Sequence, residues 1–422
     1  MNTLKELKTF IILWLTQALS SLGSSMTGFA LVIWLYNDSG SALTTALLTV
    51  CSYAPYVIVS IFAGAISDKW NKKAVMLVCD SFAALTTVCV LVLFKTGSLE
   101  VWHLYILNAL NGLMNSVQSP ASDVAATLLT PEKHYQKTSA MRYFSNSLVS
   151  ILTPALAAAI VSFAGLDAVI AFDLATFAVA FTILLFFIKI PEVPQNESSK
   201  ETLLQSAKGG ISYLGRNKGI LCMILFLSAI NFIASIYNAA LPALILSKSN
   251  EAALGAVSSS VGIATLIGSV IATVFPKPKS RSKTICTCLL VSMSTENFLL
   301  AFGNNTIAWC IGAVLGWLFI PLMSANYDVI FRSTVPKEML GRVYSVRNTL
   351  QFFSIPVGYF LGGFLVDKVF EPFMAGTENT LLLNIFGTEK GSGAALLFFV
   401  IGLAGVIVCT VFSRIKALRE LG

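Results

Sequence analysis

Three carboxylates stand inside long apolar runs of this chain: Asp80, Asp173 and Glu296. An acid in low-dielectric surroundings either bonds to a neighbouring element or exchanges a proton as its exposure changes. Glu296 is the most isolated, with no Lys or Arg close in sequence, and Asp173 lies well inside its run, so these two are the candidates for proton coupling. Amides form a second set. Asn108, Asn111, Asn115 and Gln118 are spaced 3, 4 and 3, which puts all four on one face of a helix. Asn231, Ser235 and Asn238 repeat the pattern, as do Gln17, Ser20, Ser24 and Thr27, and another run offers Trp317, Ser324, Tyr327 and Asp328. Such faces need a partner other than lipid. One or two amides serve as interhelical glue at under about 1 kcal/mol per bond, whereas four in register fit the wall of a wet cavity. The third set is Gly64-x-x-x-Asp68-Lys69-x-Asn71-Lys72-Lys73, a burst of charge between two apolar runs.

Other chemistries find no footing. His103 and His134 fall near the end of a run and in a loop, where both are expected to be solvated. The eight cysteines lie within or at the ends of apolar runs with no metal-ligand or redox spacing, and read as packing residues. No G-x-x-x-x-G-K-[ST] phosphate cradle occurs, so active work has to draw on a gradient, and no cofactor or metal is expected.

The elements that must position these residues are membrane helices. Of 422 residues, 56% are hydrophobic and only 12% charged, about half the charge of a soluble chain. A crossing takes about 20 apolar residues, and the chain divides into twelve such runs: 9–36, 42–66, 74–94, 101–122, 140–164, 166–190, 219–247, 252–276, 284–302, 306–330, 344–368 and 394–413. Their length and continuity predict an all-α membrane protein rather than a barrel of alternating ten-residue strands. With both termini placed inside, all but four of the 28 Lys and Arg (Lys95, Lys248, Lys368 and Lys390) fall on the cytoplasmic side, which is the charge bias that orients such chains. The net charge of +7 is accounted for by this topology and by anionic lipid, without nucleic acid.

The polar stretch 191–218 divides the spans six and six, giving an N-terminal bundle over 1–190 and a C-terminal bundle over 219–422. A shift of 205 residues lays Asp123-Val124 on Asp328-Val329, Pro131 on Pro336, Lys137 on Arg342 and Arg142 on Arg347. Each half thus ends its fourth helix in an acid and enters its fifth past two basic residues, the mark of a doubled transporter architecture. Arg142 and Arg347 are expected within reach of Asp123 and Asp328, a charge latch in each half.

The 64–73 stretch resembles the loop signature of the major facilitator superfamily. "GSA" at 40–42, Asp80, "SPA" at 119–121, "FD" at 172–173 and "LGRVYS" at 340–345 resemble its drug:proton antiporter branch, which includes macrolide efflux proteins and siderophore exporters. The resemblance implies two pseudo-symmetric six-helix bundles working by alternating access, with helices 1, 4, 7 and 10 around a substrate cavity. Gln17, Ser24, Asn108, Asn111, Asn115, Asn231, Asn238, Trp317 and Tyr327 would then line it. It also implies a cytoplasmic gate of Gly64, Asp68, Lys69, Asn71, Lys72, Lys73 and Asp80, in which Asp68 meets the start of helix 11 near Arg347; the latches Asp123–Arg142 and Asp328–Arg347, expected from the repeat, are placed at the same gate. The chain departs from many proton-coupled relatives in carrying Asn111 where they have an Arg, and in lacking an acid in helix 1.

The expectation is a monomeric exporter of amphipathic small molecules in the cell membrane, driven by proton antiport, with macrolide-like drugs the first substrate class by resemblance. A siderophore or lysophospholipid carrier, or a non-transporting receptor on the same scaffold, are the alternatives. An intramembrane enzyme would need a nucleophile facing a base, and neither histidine is placed for it.

Overall fold

The computed structural model describes residues 6–131, 134–191, 212–274, 276, 278–335 and 340–421. Within these the chain is helical. The helices are α1 (Lys8–Ser39), α2 (Ala42–Lys69), α3 (Lys72–Lys95), α4 (Val101–Leu128), α5 and α6 (135–164 and 166–186), α7 (Lys218–Lys248), α8 (Glu251–Val274) and α9 (Arg281–Phe302). Next come α10 in two segments (Thr306–Trp317 and Ile320–Thr334), α11 (Leu340–Phe364) and α12 (Ser392–Arg414).

Ten helical stretches among the described residues are long and apolar enough to cross a membrane. The one over Phe144–Phe186 has 43 residues, about 65 Å of helix and twice the hydrocarbon thickness. It is two crossings, separated where Gly165 takes φ 80 and ψ 176, a conformation open to a residue without Cβ. The α4 helix is not among the ten, because its amide face lowers its hydropathy.

Two compact units make up the chain. Unit 1 holds Met1–Asp38 and Cys51–Ser198; unit 2 holds Ser39–Val50 and Ser199–Gly422. In unit 1 a core of Leu13, Val75, Met76, Cys79, Ala121, Ala125, Leu184 and Ile188 ties α1, α3, α4 and the end of α6. Asn71 caps α3, its side chain accepting the Ala74 N–H at 3.1 Å.

In unit 2, glycines set the spacing. Gly358 and Gly362 of α11 lie against Phe232, Ser235, Ile236 and Ala239 of α7, so closely that a Cβ at either position would overlap them. This is the small-residue packing that membrane helices use in place of a hydrophobic drive. Past Phe364, α11 continues as a π-helical turn, Leu365–Phe370, and a further turn, Glu371–Gly376.

That π-turn explains why the first residues of α2 belong to unit 2. Its Asp367 accepts the N–H groups of Ala42 (3.0 Å) and Leu43 (2.9 Å) and the Ser41 hydroxyl, capping the start of α2 with a charge. Lys390 donates to the Gly40 carbonyl at 2.9 Å beside it.

The 370–393 stretch, to which the sequence assigns no role, is ordered into the same end of unit 2. Glu371 accepts from the Gly391 and Ala394 N–H groups at the start of α12. A short helix, Thr380–Phe386, seats Phe386 among Phe302 and Phe399.

Candidate functional site

Among the described residues, each unit buries one carboxylate facing neutral groups. In unit 1 this is Asp173 of α6, 4% exposed. The Ser24 and Thr27 hydroxyls, one helical turn apart on α1, donate to its two oxygens at 3.0 and 2.9 Å. The helices can meet here because position 23 is glycine; a Cβ there would overlap Thr176 and the Asp173 backbone.

In unit 2 it is Glu296 of α9, 3% exposed. The Trp317 indole N–H donates to Oε1 at 2.8 Å. The carboxyl lies on bare backbone at Gly316, where a Cβ would stand 2.6 Å from Oε2. Tyr237 of α7 faces the same acid, its buried hydroxyl making no hydrogen bond among the described residues. A buried carboxylate of this kind needs every donor it can reach.

The third embedded acid, Asp80 of α3, accepts from the Gln118 amide of α4. Gln17 of α1 lies in the same cluster, its amide nitrogen buried without a partner.

The amide face of α4 is divided in its bonding. Asn111 accepts the Thr86 hydroxyl of α3 at 3.0 Å, and Asn108 bonds back to the Leu104 carbonyl at 2.9 Å. Asn115 is exposed. On α7, Asn238 is exposed with its amide on the Ala234 carbonyl, while Asn231 is half-buried and its backbone carbonyl accepts the Ser235 hydroxyl. Tyr327 is buried, its hydroxyl accepting from Gln351 at 3.4 Å and its ring under the Arg347 guanidinium at 5.6 Å. Trp317 is half-buried and committed to Glu296.

Of the charged set, the side chains of Gly64, Asp68 and Lys69 lie outside the described residues. Lys73 reaches the Leu185 and Ile188 carbonyls at the end of α6, at 2.9 and 2.8 Å, where a cation meets the negative end of a helix. Lys72 donates to the Trp70 carbonyl at 3.2 Å. Arg142 and Asp123 are paired in unit 1. Arg347 in unit 2 stacks over Tyr327 and Phe331, and Asp328 is half-buried.

The histidines are more engaged than solvated side chains. His103 Nδ1 accepts the Glu100 N–H at 3.0 Å, closing the first turn of α4, and His134 pairs with Glu6 at 2.9 Å. Sequence reasoning missed Asp367 and Glu371, whose signal was an acid at the far end of a span beside "GGF". It also missed the pairing of Trp317 with Glu296, which no spacing along the chain encodes.

The model of the Major Facilitator Superfamily matches residues 13–359. Macrolide efflux protein A of Streptococcus pyogenes is 24% identical over 367 residues, covering 85% of this chain and 90% of that protein. The multidrug efflux pump Tap of Mycolicibacterium fortuitum is 21% identical over 376 residues, covering 86% and 91%. Among solved structures, the nucleoside transporter NupG superimposes with a TM-score of 0.70 at 13% identity over 97% of this chain and 100% of that one. A bacterial homologue of the iron transporter ferroportin, in its inward-facing state, gives 0.69 at 16% over 97% and 99%. The matched model spans most of the chain, the fold is that of these transporters, and the helices are of membrane length: the chain is a multi-pass membrane protein belonging to the major facilitator superfamily.

Proposed function

We propose that this protein exports amphipathic small molecules, macrolide-like drugs first, by alternating access in exchange for protons. The relatives named for macrolide and multidrug efflux support the substrate class and the direction. The observation that carries the coupling is Glu296, a fully enclosed acid whose facing groups among the described residues are a tryptophan and a tyrosine rather than a cation. An acid without a counter-charge in such a place can gain and lose a proton as its access to water changes. One proton entering down about 100 mV supplies roughly 2.3 kcal/mol, enough for a gradient of about fifty-fold.

The remaining assignments belong to the same reading. Asp173 is the secondary candidate for proton exchange. Gln17, Ser24, Asn108, Asn115, Asn231, Asn238 and Tyr327 form the polar wall met by substrate. Asp68, Asp80, Asp123, Arg142, Asp328 and Arg347 act at the cytoplasmic gate, with both termini on that side, and the monomer is the working form.

Everted vesicles test it. Drug accumulation that collapses with an uncoupler, and is lost in Glu296→Gln, is the expected result. Accumulation indifferent to the uncoupler removes the antiport.

A further inference from the structure

Helix α10 is interrupted beside Glu296, and the interruption has a local cause. Its first segment ends at Trp317 and its second starts at Ile320, with Phe319 at φ −96 and ψ −2. Pro321 brings no N–H to the carbonyl four residues before it, and its ring crowds that carbonyl. That carbonyl belongs to Trp317. The next carbonyl, Leu318, rests on Gly268 of α8, where any Cβ would overlap it. The residue that grips the buried acid by its side chain is therefore the residue at which α10 has already given up a backbone bond.

The groups facing Glu296 differ in what they can do. An ionised carboxylate only accepts, so the Trp317 N–H and the Tyr237 O–H both suit it. A protonated one must also donate. Tyr237 can turn its hydroxyl and accept, but an indole N–H is a donor only. A hydrogen bond to a charged oxygen is roughly twice as strong as one to a neutral oxygen, so the Trp317 contact weakens when the acid takes a proton. Around the acid, α10 presents Trp317, Gly312 and Gly316, and α7 presents Tyr237. Glycines 402 and 405 of α12 meet Asn297, Phe298 and Met293 on other faces of α9. Tyr237 is the one titratable group facing Glu296 among the described residues, and no charged side chain does.

We propose that Trp317 is the positioning residue that carries the protonation state of Glu296 to the α10 break, gripping the ionised acid and releasing the neutral one. This rests on the reading of Glu296 as a proton-exchanging group. Release lets the two segments of α10 change direction at Leu318–Phe319 with no further backbone bond broken at Trp317. Tyr237, whose hydroxyl carries no hydrogen bond among the described residues, can turn to donate to the ionised acid or accept from the neutral one.

The test uses the full-length protein in lipid nanodiscs, labelled with fluorotryptophan and followed by fluorine NMR over a pH series. Loss of one resonance in Trp317→Phe assigns the reporter among the six tryptophans. The Trp317 resonance is expected to move in a single step, absent in Glu296→Gln, whose side chain keeps the acceptor and loses the proton. Amide exchange over 314–323, corrected for its intrinsic pH dependence, follows the same step. If Trp317→Phe does not accumulate, the resonance is assigned by proximity to a spin label near the break, and the comparison with Glu296→Gln decides. A pH-insensitive Trp317 resonance, a step that survives Glu296→Gln, or break amides that ignore it overturns the proposal. Uncoupler-sensitive transport with no step sinks this coupling and leaves antiport standing. Uncoupler-insensitive transport with the step intact sinks antiport and leaves the contact.

Discussion

Asp173 and Glu296 are buried to the same degree, one in each unit, yet they are held by different chemistry. Both oxygens of Asp173 are taken by hydroxyls of one neighbouring helix, and a hydroxyl can donate or accept with a turn of its hydrogen. Glu296 has a single indole donor at a broken helix and a tyrosine from a third helix. A site that accommodates either protonation state by rotating hydrogens transmits nothing to the backbone. On the inference drawn above, a site with a one-way donor at a proline break does. On the proposed reading the contrast ranks the second acid ahead of the first for proton exchange, and it can be broken experimentally at several strengths.

The largest effect is expected from the paired amide substitutions. Glu296→Gln should lower uncoupler-sensitive efflux by at least about tenfold, the size of losing roughly 1.4 kcal/mol or more of coupling. Asp173→Asn should leave the drug-to-proton relation intact and shift thermal unfolding in detergent by about 1 kcal/mol. Reversal of the two outcomes would exchange the roles.

Next come the glycines that admit the acids. A Cβ at Gly23 meets the Asp173 backbone, which cannot yield, whereas a Cβ at Gly316 meets the Glu296 side chain, which can rotate. Gly23→Ala should therefore destabilise by about 1 to 3 kcal/mol through overpacking, measured as loss of folded protein on heating. Gly316→Ala should keep more of its stability but push the carboxyl off Trp317 and impair transport. Equal losses of stability would mean that Glu296 is as rigidly held as Asp173.

The two acids were not equally legible from the sequence. Both stood out, because a carboxylate in a continuous apolar run is conspicuous, and the helices followed from run length alone. What each acid touches was not legible, since helix neighbours are a tertiary fact. The hydroxyls of α1 line up at Ser24 and Thr27 with the right helical spacing, but nothing in that spacing points to Asp173. Trp317 read as part of a polar cavity face because its indole suits that role equally well. The run 306–330 read as one helix although Pro321 lies within it, since prolines at 55, 120, 154, 242 and 356 sit inside helices that stay continuous. The difference at Pro321 is the buried surface that stabilises the break, Gly268 on one side and Glu296 on the other. Asn111, read with its neighbours as a single stripe, is bonded sideways to Thr86 for the same reason: in a bundle, the nearest polar partner wins over the face pattern.

A smaller effect tests the cap that Asp367 places on α2. Asp367→Asn keeps the shape of the cap on α2 and removes its charge, which should cost about 0.5 to 1 kcal/mol. Faster amide exchange at Ala42 and Leu43, without a change at Ser24 or Thr27, would show that this cap stabilises unit 2 alone.

The finest discrimination comes from the two hydroxyls of unit 1. Ser24 and Thr27 bond different oxygens of Asp173, and Ser24 is exposed while Thr27 is buried. Ser24→Ala should cost only a few tenths of a kcal/mol, because water can replace an exposed donor, and Thr27→Val about 1 kcal/mol, because nothing replaces a buried one. Together they strip the carboxyl of both donors, so the double variant should lose more than the sum, by about 0.5 to 1 kcal/mol. Strict additivity would mean that each oxygen already has another partner, and the argument that Asp173 is fixed by α1 would fail with it. A positive coupling energy, with the pH profile of efflux unmoved, would instead confine proton exchange to the acid on the other unit.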